Sequence, residues 1–101
     1  MKKKVVSILG STGTIGINSL EIFQKKKKLF KFYLFAANKN YDLICKQIIK
    51  FKPEIFVIND IKVFEKVKKK FKKKKIKIFI SNFFKKNIHV KSDITIAAIP
   101  G

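Results

Sequence analysis

Three of the four glycines in this chain, Gly10, Gly13 and Gly16, fall within one seven-residue window. Glycine is otherwise avoided, so a cluster at regular spacing marks a requirement of the backbone. The window separates two hydrophobic patterns. Before it, Val5 to Leu9 is a short apolar run with β-branched residues, suited to a strand buried on both faces. After it, Ile15, Ile17, Leu20 and Phe23 share one side of a helix predicted from Thr14. That helix runs into Gln24 and Lys25–Lys28, where cations suit the negative end of the helix dipole. A glycine loop between a strand and a helix is the context that a dinucleotide-binding fingerprint requires. The first glycine permits the tight turn, and a later one lets a pyrophosphate approach the backbone. The last lets the helix lie close to the sheet with its N-terminus facing the anion. The spacing in Gly10-Ser11-Thr12-Gly13-Thr14-Ile15-Gly16 is GxxGxxG, a variant of GxGxxG, and the hydroxyls of Thr12 and Thr14 add possible phosphate donors. A turn that merely joins strand to helix meets the same spacing.

The rest of the chain continues the alternation. Phe30 to Ala37 reads as a second strand, Asn38-Lys39-Asn40 as a turn, and Tyr41 to Phe51 as a helix stopped by Pro53. On that helix Leu43, Ile44, Gln47, Ile48 and Phe51 recur at helical period. Ile55 to Ile58 is a third strand, and Asn59-Asp60 offers an N-cap for a helix from Ile61 to Lys74 with Val63, Phe64, Val67 and Phe71 on one stripe. Ile76 to Ile80 gives a fourth strand, Asn82–Lys86 a short helix in an ambiguous stretch, and Ile94 to Ile99 a fifth strand. Strands alternating with helices at these spacings predict an α/β fold: a Rossmann-like, doubly wound parallel sheet in three α/β/α layers, here incomplete. In such sheets a ligand lies at the carboxyl ends of the strands, where the strand order reverses beside the first strand. The small side chains of Ala97 and Ala98 on the fifth strand suit that place, although tight packing accounts for them as well.

Composition narrows the function. Lysine supplies all 25 basic residues, against six acids, for a formal charge of +19. Arginine, with its bidentate fork, is the usual tool for gripping phosphates and guanine edges, so a pure lysine excess is weak support for nucleic-acid recognition. AT-rich coding, which enriches Lys, Ile, Phe and Asn together, is the other source of such a bias. A lysine-rich nucleic-acid-binding module using Lys66 to Lys77 remains the rival from another class. One cysteine, Cys45, excludes an internal disulfide, and with a single His89 no His/Cys zinc site can form within the chain. Cys45 reads as a buried structural thiol and His89 receives no role. The six acids are dispersed and offer no paired carboxylates for a metal. The N-terminal apolar run is too short for a signal peptide, and no stretch reaches the roughly 20 apolar residues of a membrane span. A cytoplasmic protein is the expectation.

The end of the second strand selects the nucleotide. An Asp or Glu about 20 residues beyond the fingerprint holds ribose hydroxyls in NAD-binding folds, whereas a basic residue accepts a 2′-phosphate. Ala36-Ala37-Asn38-Lys39-Asn40 contains no acid. Lys39 supplies charge, and Asn38 and Asn40 supply hydrogen-bond donors, which favours NADPH over NADH. Lys39 is also one of 25 lysines, so chance can place it there.

With these residues assembled, the chain resembles the 1-deoxy-D-xylulose 5-phosphate reductoisomerase family. The run Gly10 to Gly16 close to Met1, followed by Asn18-Ser19-Leu20-Glu21, is similar to that family's GSTGSIG opening. Ala36-Ala37-Asn38-Lys39-Asn40 is similar to its second signature, and Lys52-Pro53-Glu54 and Ile96 to Ile99 with Gly101 fall where the family has similar stretches. Thr14 stands for the usual Ser, and Asn38 stands where Gly is common. Another NADP-dependent enzyme with a GxxGxxG loop, such as a semialdehyde dehydrogenase or an epimerase-like domain, fits these runs less well. The resemblance implies an NADPH-dependent rearrangement and reduction of 1-deoxy-D-xylulose 5-phosphate to 2-C-methyl-D-erythritol 4-phosphate, with Mg²⁺ or Mn²⁺, in non-mevalonate isoprenoid synthesis. It implies a homodimer acting on a phosphosugar, with no specific nucleic acid and no membrane. It also places Thr12, Gly13, Thr14 and Ile15 at the NADPH phosphates and Asn38, Lys39 and Asn40 around the 2′-phosphate. The family's Ala-Asn-Lys-Glu signature, metal ligands and substrate-phosphate residues lie beyond the end of this chain. Residues 1–101 are therefore expected to be a truncated N-terminal NADPH-binding domain, without catalytic or metal-binding residues and inactive alone.

Overall fold

Apolar residues alternate with helical stripes so regularly that each strand can bury both faces only inside a layered sheet. In the computed structural model, which describes residues 2–81 and 92–97, five strands form that sheet. They are β1 (Lys4–Leu9), β2 (Phe30–Ala37), β3 (Ile55–Ile58), β4 (Lys77–Ile80) and β5 (Ile94–Ala97). All four pairings are parallel, and the order is β4-β3-β2-β1-β5. The chain thus walks outward from β1 to β4 and returns to the other side of β1, which puts the reversal between β1 and β5. Helices α1 (Thr14–Lys25), α2 (Tyr41–Phe51) and α3 (Ile61–Lys70) make the first three crossovers.

These three helices cover one face. Leu20 of α1, Ile44, Cys45 and Ile48 of α2, and Val67 of α3 join Val6, Ile8, Phe32, Phe35, Phe56, Ile58 and Ile78 in the main core. The burial of Cys45 is that of a core side chain. A smaller cluster of Leu34, Ile55 and Val57, with Leu9 and Phe79 against it, lies on the opposite face. The second helical layer expected from Asn82–Lys86 lies outside the described residues, as do His89, Ala98, Ile99, Pro100 and Gly101.

One irregularity organises the core. The register steps from Val6↔Phe32 to Ser7↔Leu34, so β2 carries an extra residue at Tyr33. The bulge resets the period of two and lets Phe30 and Phe32 share a face with Phe35 and Ala37. Edge-to-face contacts then link Phe32 to Phe35 at 5.6 Å and Phe35 to Phe56 at 5.9 Å between ring centroids. Strict alternation through β2 would have sent Phe35 to the other side.

Four expectations are corrected. Helix α3 ends at Lys70 instead of Lys74, because Phe71 leaves helical geometry (φ −102°, ψ 22°) to bury its ring. A further turn would have stacked Lys72–Lys74 on Lys68–Lys70, and like charges three or four apart disfavour it. Strand β4 begins at Lys77, one residue later than expected, and β1 at Lys4, one earlier. Ile15 is not on the inward side of α1 but 62% exposed. The inward stripe is Gly16, Leu20 and Phe23, set by the close approach of Gly16 to the preceding loop.

Candidate functional site

Because every strand is parallel, all five carboxyl ends share one edge of the sheet. That edge carries the glycine loop after β1, Asn38-Lys39-Asn40 after β2, Asn59-Asp60 after β3 and Ser81 after β4. The structure therefore gathers both groups of sequence-derived site residues on the carboxyl edge of the sheet, the glycine loop at the β1/β5 reversal, where a crevice opens in sheets of this type, and Asn38-Lys39-Asn40 one strand away at the end of β2. A surface cavity of about 730 Å³, lined by Ile48, Pro53, Ile55, Phe71 and Ile76 among others, lies at the opposite edge, remote from both groups.

The loop has an anchored half and a presented half. Gly10 adopts φ 91°, a conformation that suits glycine. Its amide and that of Ser11 both donate to the Ala36 carbonyl of β2, at 2.7 and 2.9 Å. A Cβ on Gly16 would lie 2.3 Å from the Gly10 oxygen and 2.8 Å from Ser11 Cα, so α1 reaches this close to the loop only because residue 16 has no side chain. The presented half behaves differently. Gly13 has ordinary extended backbone (φ −83°, ψ 172°), and a Cβ there would meet the Gly10 oxygen at an unstrained 3.5 Å. The fold does not demand glycine at position 13. Gly13, Thr14 and Ile15 are exposed and Thr12 is half-buried.

Helix α1 starts at this presented half with no side-chain cap. The first amides of any α-helix lack intrahelical acceptors. Here Gly13 donates to Gly10 O at 3.1 Å, and the ladder begins with Ile17 donating to Gly13 O at 2.9 Å. The amides of Thr14 and Ile15 lie between, at the positive end of the helix dipole. Such an end, flanked by the hydroxyls of Thr12 and Thr14, is suited to an anion.

Beneath the loop lie two residues that stand out by burial. Ser11 is 0% exposed and Gln47 of α2 is 4% exposed. Gln47 Nε2 donates to the Ser11 carbonyl at 2.8 Å, while Ser11 Oγ and Gln47 Oε1 have no hydrogen-bond partner among the described residues. A buried polar atom left unpaired costs about 1–3 kcal/mol. Sequence reading placed Gln47 on the α2 stripe but missed its role. The signal was present: a polar amide where the period calls for an apolar residue, between Ile44 and Ile48.

The turn after β2 is also fixed from beneath. Asn59 Nδ2 donates to Asn38 Oδ1 at 3.2 Å, and Ser81 Oγ donates to Asn59 Oδ1 at 2.7 Å. Asn40 Oδ1 caps α2 by accepting from Leu43 N at 3.2 Å. These bonds engage the oxygens of Asn38 and Asn40, and both residues are exposed, as is Lys39 between them. Next to them, a hydrogen bond with Cys45 and then desolvation raise the Tyr41 phenol above its usual value, so it stays neutral. The turn is thus lined by donors and a cation, which complements a phosphate. Asn59 and Ser81 were missed by sequence reading, since only the sheet brings them beside residue 38. Among the described residues no three His, Cys, Asp or Glu side chains gather into a metal site. No helix of the described residues is long and apolar enough to cross a membrane.

Comparison with known proteins gives concordant results. The sequence profile described as 1-deoxy-D-xylulose 5-phosphate reductoisomerase matches residues 6–101. A relative of that name from Buchnera aphidicola is 44% identical over 73 residues, covering 72% of this chain and 18% of the relative. One from Porphyromonas gingivalis is 49% identical over 61 residues, covering 59% of this chain and 16% of the relative. The chain thus spans under a fifth of the length of these curated relatives. A solved reductoisomerase from Zymomonas mobilis, in complex with NADPH, superposes with a TM-score of 0.88 at 21% identity. It covers 99% of this chain and 27% of that one, a likeness of fold.

Proposed function

The chain belongs to the 1-deoxy-D-xylulose 5-phosphate reductoisomerase family, and from that premise we propose that residues 1–101 form the NADPH-binding domain of such an enzyme. The reaction served is the rearrangement of 1-deoxy-D-xylulose 5-phosphate and reduction of the product to 2-C-methyl-D-erythritol 4-phosphate. The observation that carries this reading is the uncapped N-terminus of α1, held open by Gly10 and Gly16 at the sheet's reversal point. The fit of a dinucleotide is supported by the buried Ser11 Oγ of the loop, unpartnered among the described residues, and by a glycine at position 13 that the fold itself does not require.

In this reading the pyrophosphate lies against Thr12, Gly13, Thr14 and Ile15. The amides of Thr14 and Ile15 and the two threonine hydroxyls donate to it. The exposed Ile15 side chain shields those bonds from water, which strengthens them. Lys39 neutralises the 2′-phosphate, and the NH₂ groups of Asn38 and Asn40 hydrogen-bond it. A ribose hydroxyl finds no acceptor carboxylate here, so NADH is disfavoured. Bound NADPH supplies a hydride, and the residues of this chain orient the nucleotide. The sheet reversal directs the nicotinamide past Ala97 on β5.

The metal-binding, phosphosugar-binding and dimeric character expected of the family, and a cytoplasmic location, belong to the same proposal. The described residues gather no metal ligand set, so no step is assigned to a metal here. Titration by nucleotide fluorescence tests the reading: NADPH binds much more tightly than NADH. Equal affinity for the two overturns the assignment of Asn38, Lys39 and Asn40.

A further inference from the structure

We propose that Gln47 is a positioning residue for the dinucleotide, acting through the Ser11–Thr12 peptide; this rests on the reading of the glycine loop as the pyrophosphate site. In a trans peptide the carbonyl and the following N–H point in opposite directions, and none of the described peptides is cis. The Ser11 carbonyl is drawn inward by Gln47 Nε2 at 2.8 Å. The Thr12 N–H is therefore turned away from Gln47, toward the open side of the loop where Thr12, Gly13 and Thr14 are presented. One buried amide on α2 thus aims a backbone donor that it never touches.

The residue type supports a role beyond packing. Gln47 occupies a position of the α2 stripe whose neighbours Ile44, Cys45 and Ile48 are all buried core side chains. A leucine would fill the same space and remove Gln47 Oε1, which has no partner among the described residues, but it would leave the buried Ser11 carbonyl without its donor. What glutamine adds and leucine lacks is the donor to Ser11. The other anchors of the loop, the Gly10 and Ser11 amides on Ala36 O, fix the peptides before Ser11 and leave the Ser11–Thr12 peptide to Gln47.

The test compares Gln47→Leu, with Gln47→Met as a second apolar variant, against the unsubstituted chain. Thermal unfolding without ligand confirms that each variant is folded. Affinity is then measured for NADPH, which has the pyrophosphate, and for 2′-AMP, which lacks it. The expected result is a melting temperature unchanged or modestly lowered, an NADPH Kd weakened about tenfold, on the scale of a lost hydrogen bond to a charged group, and an unchanged Kd for 2′-AMP. A folded variant that binds NADPH like the unsubstituted chain overturns the proposal. An equal loss for both ligands also overturns it, since that marks a merely structural residue. Failure of the unsubstituted chain to bind NADPH would instead overturn the underlying dinucleotide reading.

Discussion

The N-termini of α1 and of its two neighbours are built in opposite ways. Helices α2 and α3 close theirs with side chains: Asn40 Oδ1 accepts from Leu43 N at 3.2 Å, and Asp60 Oδ2 accepts from Val63 N at 3.0 Å. Helix α1 has Gly13 at its N-cap, which has no side chain to offer. A cap is worth about 1 kcal/mol to a helix, so leaving one out has a cost. Where the molecule only needs a stable helix it spends an Asn or Asp; at the sheet's reversal point it keeps the amides available. The same contrast runs within the loop, between Gly10 and Gly16, which the fold requires, and Gly13, which it does not.

The largest effect should come from Gly16→Ala. Its Cβ would fall 2.3 Å from a backbone oxygen that cannot easily move. A loss of about 3 kcal/mol in urea unfolding is expected, at the upper end of overpacking costs. Gly13→Ala, with its Cβ at 3.5 Å from the same oxygen, should cost about 1 kcal/mol or less. The two glycines would then be separated as structural and functional.

Next in size is Gly13→Asp, which gives α1 the kind of cap that α3 has. Stability should rise by a few tenths of a kcal/mol. NADPH affinity should fall about 100-fold, because the carboxylate takes the amides and repels the pyrophosphate. Parallel denaturation and fluorescence titration check both halves. Lys39→Ala should weaken NADPH by about 1–2 kcal/mol and leave NADH nearly unchanged, narrowing the gap between them. The smallest change is Asp60→Ala, which opens the N-terminus of α3: about 1 kcal/mol of stability is lost by denaturation, with NADPH binding unaltered.

Much of this arrangement was legible in the residues. The bounds of β2, α2 and β3 follow from apolar runs, Pro53 and the turn residues, and the Asp60 cap from its position before an apolar stripe. Alternation gave the parallel sheet, and the general rule for doubly wound sheets put the reversal beside β1. What escaped was set by tertiary contacts. No local pattern shows the bulge at Tyr33, because it exists to align two phenylalanines with a neighbouring strand. Ile15 fits an inward stripe by periodicity, yet the contact of Gly16 with the loop rotates the helix and leaves Ile15 outside. The stop of α3 at Lys70 reflects a burial preference of Phe71 that a run of lysines hides. Asn59 and Ser81 lie 21 and 43 positions beyond Asn38 in sequence, and only the sheet edge brings Asn59 to Asn38 and Ser81 to Asn59.

The central claim is that the open N-terminus of α1 receives the dinucleotide phosphates. Backbone amide shifts, followed by ¹⁵N-correlated NMR as NADPH is added, test it residue by residue. The largest shifts are predicted at Thr12, Gly13, Thr14 and Ile15, with a second group at Asn38, Lys39 and Asn40 that is lost when NADH replaces NADPH. Leu43 and Val63, whose amides are already capped, should move little. Shifts centred on the lysines of α3, or none at the α1 N-terminus at saturating NADPH, would contradict it.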